Sequence, residues 1–462
     1  MDKDAIIEKL TRQVALLIER VRQLEQENIM LKERIAQLEK NSSNSSKPPS
    51  GDIVKPPQIY RISGKKRNCG GQPGHTKFSR KPFELDEVDE VIEYELEDKE
   101  AAGLKAPDEW FIIQQIELPE KMYRVIEHRA RKYLDPLTGK IIIADMPDEI
   151  RKGGLFGAGM TAAVAFMKGA CHMSYTTIQQ FFKELVQLDI SGGMLCKSVQ
   201  KVCGALQPAY QKMVERLRHY EQTGIDETGH NDNGKLHWTW CFDTSDFSLF
   251  RIDKSRGSEA LEIMPGKDFD GIICADYRGA YRKYARLFDV RVQYCMAHLI
   301  REIRFLAEHI IKKLSRWGSC LLEWLKKLFK MLHRRSRYTS KGFVAAMKRI
   351  KKGFLGRIRR PPDHALVKKL ARRFKGKAAE DYFRFLNETN VEPTNNRTER
   401  QIRPVVIDRR ITQGTRGDAG MRWSERIWSI LATCKKRNRN VFEFIHHTLL
   451  AHWTNTCYPE LL

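Results

Sequence analysis

Apolar residues near the start of the chain recur every seven positions. Leu10, Leu17, Leu24, Leu31 and Leu38 share one heptad position, and Ile7, Val14, Val21, Asn28 and Ile35 precede them by three residues. β-Branched residues at the first of these positions with leucine at the second favour a two-stranded parallel coiled coil, and a single buried Asn sets register and strand number. The flanking charges agree: Arg20 would meet Glu25 of a partner helix, Glu27 would meet Lys32, and Arg34 would meet Glu39. Residues 1–40 therefore predict a homodimeric leucine-zipper coil. The pattern stops after Lys40, where "NSSNSSKPPSGDIVKPPQ" runs into "GKKRNCGGQPGHTK". Such polar, Pro-rich sequence buries too little apolar surface to fold, so 41–83 predicts a flexible basic linker.

Weak alternation follows in "VIEYELED", "WFIIQQIEL" and "GKIIIADMP", predicting a small acidic β-rich module over 84–150. From Gly157 to Glu221 the period turns helical. "SYTTIQQFFKELVQLDIS" and "GGMLCKSVQKVCGALQPAYQKMVERL" predict two helices joined by a Gly-containing turn within a 151–222 unit. A DNA-binding helix-turn-helix and an ordinary helical bundle both satisfy that pattern. At Thr223 alternation returns in "TGIDETG", "KLHWTWCFDT" and "FSLFRID", with "NDNG" as the first turn. Helix and strand then take turns: "SRGSEALEIM", "GIICAD", "YRGAYRKYARL", "VRVQYC" and a long helix from Met296. Three strands in a meander followed by alternating helix and strand is the order of an RNase H-like α/β core. Its first part spans 223–300, a basic helical insertion occupies 301–379, and 380–462 returns to the core and ends in helices. The fold class expected is multidomain and mainly α, with this core and the N-terminal parallel coil.

Charge sharpens the picture. The 462 residues carry 82 Lys and Arg against 58 Asp and Glu, a net charge of +24. Arg301 to Lys377 alone holds 25 basic and 4 acidic residues, whereas Glu84 to Ile150 holds 8 and 19. A cationic block of that size implies a polyanionic partner, and double-stranded DNA is the one expected. The ten cysteines form no C-x-x-C pair, so neither a disulfide framework nor a zinc ribbon is indicated. No signal-peptide pattern is read at the start. The apolar, uncharged run from Gly154 to Met167 is below the ~20 residues that a bilayer demands. A cytoplasmic protein without membrane association is expected.

Candidate chemistry centres on carboxylates. Asp226 lies within the first core strand and Asp276 ends the fourth; these strands are neighbours in the expected topology. Two acids converging at one sheet edge repel each other unless a hard cation joins them, and Mg²⁺ prefers oxygen donors. A third carboxylate from a later helix admits a second ion, the arrangement that activates an attacking oxygen and steadies a leaving one at a phosphodiester. Glu227 faces away from Asp226 by strand alternation, so only one of the pair belongs to such a site. Glu399 lies in the basic stretch "VEPTNNRTERQIRP". It has two readings, a metal ligand or the closing member of an Asn396-x-x-Glu399 capping box.

"TGIDETG", "ICADYRGAY", "QYCMAHLIREI" and "EPTNNRTERQIRPVVIDRR" resemble the strand-one aspartate, D-x-x-x-x-Y, C-x-A-H and N-N-x-x-E-R-x-I-R-P segments of DDE transposases, and most closely those of the insertion sequence 66 family. The coil, "NSSNSSKPPS" and "GGQPGHTK" resemble that family's N-terminal region, so the likeness runs over most of the chain in order. By this resemblance Asp226, Asp276 and Glu399 occupy the catalytic triad and hold two Mg²⁺, with Mn²⁺ as substitute. His298 is then either an orienting donor at the scissile phosphate or a structural histidine. Arg397, Arg400, Arg403, Arg409 and Arg410 are the expected phosphate contacts. One departure stands out. The family commonly carries a Cys-rich zinc module where 84–150 has no cysteine, and no zinc is expected there. The resemblance implies a bacterial, nucleoid-associated transposase acting on the inverted ends of its element by strand cleavage and strand transfer. A structure-specific nuclease on the same fold and a catalytically decayed dimeric DNA-binding protein are the alternatives.

Overall fold

The computed structural model describes residues 3–39, 53, 81–94, 110–388 and 390–462. Most of the expected linker 41–83 therefore lies outside the described residues. Helix α1 (Lys3–Glu39) is one continuous helix. Its seam residues Ile7, Leu10, Val14, Leu17, Val21, Leu24 and Leu31 are between 49% and 64% exposed, so the other described residues do not cover the stripe.

The 84–150 stretch differs from the β-rich expectation. Its described residues pair only in one hairpin, β1 (Lys132–Leu134) with β2 (Ile141–Ile143), and the rest between Trp110 and Arg131 is unpaired chain. Alternation marks a strand only where a second strand supplies hydrogen-bond partners, and here none is adjacent.

Helices α2 (Asp148–Gly153), α3 (Ala158–Gly169), α4 (Tyr175–Glu184), α5 (Gly192–Ala205) and α6 (Gln207–Leu217) follow. Ser174 and Ser191 cap α4 and α5, each side chain accepting the N–H three residues on.

The sheet comes next, with β3 (Gln222–Asp232), β4 (Lys235–Asp243), β5 (Ser248–Asp253), β6 (Ile272–Ala275) and β7 (Arg291–Tyr294) in spatial order β5-β4-β3-β6-β7. The first three are antiparallel, while β6 and β7 add in parallel to β3. Asn233 and Gly234, at φ 49° and 78°, make the two-residue turn between β3 and β4, the conformation an Asn-Gly pair adopts with least strain. Helices α7 (Glu259–Ile263) and α8 (Gly279–Leu287) make the crossovers.

After β7, α9 (Met296–Ala307) leads into a helical lobe of α10 (Lys312–His333), α11 (Ser340–Ile358), α12 (Ala365–Arg372) and α13 (Lys377–Asp381). The chain then returns as α14 (Asn396–Thr412), which lies on β3 and β4, and ends with α15 (Asp418–Lys436) and α16 (Val441–Thr454). These last two pack on α3 and α5, so the 151–222 helices and the C-terminus share one body.

Edge strand β5 is closed by α15. Ser248, Phe250 and Ile252 donate their outward N–H groups to Thr433 Oγ1 (3.3 Å), Ser429 Oγ (2.9 Å) and Glu425 Oε1 (2.8 Å). One helical turn rises about 6 Å over four residues and two strand residues rise about 6.8 Å, so acceptors at i, i+4 and i+8 meet every second strand amide.

Candidate active site

Three segments meet at the end of β6. In the parallel pairing of β3 with β6, Gly224 stands opposite Cys274. Continuing that register by two residues sets Asp226 level with Asp276, which directly follows β6. Gly224 and Asp226 share a face of the strand, and α14 lies on that face. A Cβ at Gly224 would stand 2.0 Å from Thr398 Oγ1 and 2.8 Å from Asn395 Oδ1, so only glycine lets the start of α14 come so near. Asn395 Nδ2 donates to Ile225 O (2.8 Å), and Thr398 Oγ1 donates to Asn395 Oδ1 (2.7 Å). Behind this joint, Met296 N–H donates to Pro393 O (2.9 Å) and Asn395 N–H to Cys295 Sγ (3.2 Å). Glu399, one turn into α14, is thereby aimed toward β3 and α9.

His298 sits between the two later carboxylates. Its Nε2 is 3.7 Å from Asp276 Oδ2 and its Nδ1 is 3.6 Å from Glu399 Oε1. Arg301, one turn further along α9, donates from Nη2 to His298 Nε2 (2.9 Å) and lies 3.5 Å from Glu399 Oε1. A guanidinium has no acceptor, so Nε2 carries the lone pair and the neutral ring holds its proton on Nδ1, facing Glu399. Burial and the Arg301 charge push the imidazole down to about 3. Neither His298 Nδ1 nor Glu399 Oε1 has a hydrogen-bond partner although both are buried, which is the condition under which a further ligand is favoured. A buried carboxylate oxygen left unsatisfied fits a cation, and Asp226 and Asp276 supply the other oxygen donors.

The acids feel one another. Burial raises Asp226 well above the usual carboxylate range, with Glu227, Asp276 and Glu399 adding to the shift. Burial and the Glu227 charge bring Asp276 to about 7, and burial raises Glu399 despite Arg301 and Arg403. The three do not close on one point as they stand. Among the described residues, the group with three donor atoms within 4.8 Å of one another is Cys295, His298 and Glu399. With the Nδ1 proton in place and Cys295 accepting from Asn395, that set serves the joint.

Glu227 lies on the opposite face, as alternation requires, and is engaged there by Arg256 (3.0 Å), Arg278 (2.8 Å) and the hydroxyl of Tyr281. Arg278 also holds Asp276 Oδ2 at 3.1 Å. The tyrosine of the D-x-x-x-x-Y segment thus anchors Glu227, and Arg278 carries that anchorage to Asp276. Sequence reading missed Arg278, Arg301, Asn395 and Gly224. The spacing of Arg301 from His298, one helical turn, is the signal that would have revealed their pairing on α9.

Helix α14 begins at Asn396 with Asn395 as its cap, and Glu399 makes no described capping contact, so the capping-box reading does not describe its placement. Of the arginines expected at phosphate, Arg400, Arg403 and Arg410 are exposed. Arg409 is half-buried and donates to Thr228 Oγ1 (3.1 Å). Arg397 is a correction: it turns inward to Asp243 Oδ2 (2.8 Å), a fully buried carboxylate also held by Lys436 and Ser248. A buried acid without such partners is costly, and that demand draws Arg397 away from solvent.

No described helix is long and apolar enough to cross a membrane. Residues 4–81 match a family of unknown function, DUF6444. Uncharacterized protein y4qI of Sinorhizobium fredii is 23% identical over 425 residues, covering 83% of this chain and 76% of that protein. Residues 153–423, more than half of the chain and all of the site above, match the family described as Transposase IS66 family. The chain belongs to the IS66 family of transposases.

Proposed function

We propose that the chain is a DDE transposase with an RNase H-like core that binds the inverted ends of its element and carries out metal-dependent strand cleavage and strand transfer. The observation that carries this reading is the convergence of Asp226, Asp276 and Glu399 at the end of β6, each from a different segment. These three would hold two Mg²⁺ ions, or Mn²⁺ in their stead, which when bound supply charge neutralisation and an activated oxygen at phosphorus. The chain's own groups do the rest. Arg400, Arg403 and Arg410 on the exposed side of α14 hold phosphates, and Arg409 steadies the same helix on β3. His298, fixed by Arg301, presents a neutral N–H between Asp276 and Glu399. Water bonds to phosphorus at the element end and the departing oxygen leaves as a 3′-hydroxyl. That hydroxyl then attacks a target phosphodiester and displaces another 3′-oxygen, so no covalent bond to the protein forms. Two chains joined through α1 would bring two such sites to two ends.

Nicking of an end-containing duplex with Mg²⁺ tests the site. Asp226→Asn and Glu399→Gln are each expected to lower the rate by at least about a hundredfold with folding intact. A Glu399→Gln protein that nicks normally would remove that residue from the metal-holding set. Products joined to a second duplex separate a transposase from a nuclease on the same fold.

A further inference from the structure

A cavity of about 360 Å³ opens between α10 and α11, far along the chain from the carboxylates. It is lined by Trp324, Tyr338, Lys327, Lys330, Arg334 and Arg349, with Met331 and Ile350 behind them. Four cations face this concavity with no acid among its lining residues, and none of the four forms an ion pair with a carboxylate among the described residues. Uncompensated positive charge in a concave wall draws an anion.

The aromatic part is built as carefully as the charged part. A Cβ at Gly353 would stand 2.4 Å from the Trp324 ring, so the indole rests flat on bare backbone. Trp324 is held half-exposed, and the Lys327 ammonium lies 4.7 Å over its ring. A planar base taking that place would free the ammonium for phosphate. Tyr338, 44% exposed, offers a second ring. The volume sits at the low end of the ~300–1,000 Å³ of small-ligand sites, room for one nucleotide and little more.

We infer that the α10–α11 cavity receives a single unstacked nucleotide of DNA, its base on Trp324 and its phosphate among Lys327, Lys330, Arg334 and Arg349. Bases inside a duplex are stacked and out of reach, so the cavity discriminates in favour of an overhang, gap or flipped nucleotide. An acidic peptide would satisfy the cations but leave the indole unused. The inference rests on the reading of the chain as a DNA-processing protein but not on its cleavage chemistry.

The test uses the full-length protein in EDTA, where no cleavage occurs, with a blunt duplex and the same duplex bearing a short overhang that contains 2-aminopurine. Wild-type protein should prefer the overhang and quench its fluorescence by stacking. Trp324→Ala should weaken overhang binding roughly 10- to 100-fold, abolish the quench and leave blunt-duplex binding within about twofold. Trp324→Phe should restore most of the preference, which separates lost stacking from lost folding. Equal weakening of both duplexes, no weakening of either, or competition by polyglutamate as effective as by the overhang strand would overturn the inference. Free dAMP binding as tightly as the overhang would do the same. If Asp226→Asn nicks DNA normally while the overhang preference stands, the carboxylate reading fails and the cavity reading survives.

Discussion

Asp276 and its neighbours show how burial and a nearby charge hold a carboxyl group in its neutral form. The Asp276 carboxyl is pushed up to about 7 because burial and the Glu227 charge oppose ionisation, and Arg256 and Arg301 only partly offset them. A folded-state value above the unfolded one means a stabilising contribution present below about pH 4 and lost as pH rises through about 7. Metal-free protein should therefore be less stable at pH 8 than at pH 5, by up to ~3 kcal/mol from this group, and Mg²⁺ should reverse the loss. Because the proton must leave first, apparent Mg²⁺ affinity should climb across the same window, with proton release visible in calorimetry. An Asp276→Asn protein with an unchanged pH slope would contradict this. That Asp226 lies within one strand and Asp276 at the end of its neighbour was readable in sequence, yet the inward turn of Arg397 was not. Its partner Asp243 is 154 residues away, and no local pattern reports such a pairing.

Elements were legible to the degree that each carried its own partner. The stretches read as the five core strands fall within a few residues of β3 to β7, because alternation there coincides with neighbours that pair. The same reading of "WFIIQQIEL" produced no described strand, since apolar spacing cannot supply a missing neighbour. Nor did any periodicity announce that α15 would finish the sheet through Glu425, Ser429 and Thr433, polar residues on a helix face otherwise apolar. That closure has a measurable cost when broken. Ser429→Ala leaves the Phe250 N–H buried without an acceptor and should lower unfolding free energy by about 1–3 kcal/mol in denaturant titration. Thr433→Ala, which removes a longer bond, should cost less.

At the scale of the whole molecule, α1 carries an apolar seam that none of the other described residues covers. Full-length protein should elute and scatter as a dimer, and deletion of 1–40 should give a monomer whose remaining domains melt unchanged. A monomeric full-length chain would refute the pairing. The joint behind the site has a wider bearing. Asn395, 100 positions after Cys295, donates to it, so the intervening chain departs and returns at one doorway. A lobe rooted in this way can change at its outer helices without shifting Glu399, which is aimed by the hinge-pins at Pro393, Asn395 and Gly224, while its inner residues Tyr382 and Phe385 stay tied to Gln293 on β7. Chains built on this plan are thus at liberty to vary those outer helices, and a designer could remodel them while the three carboxylates keep their seats.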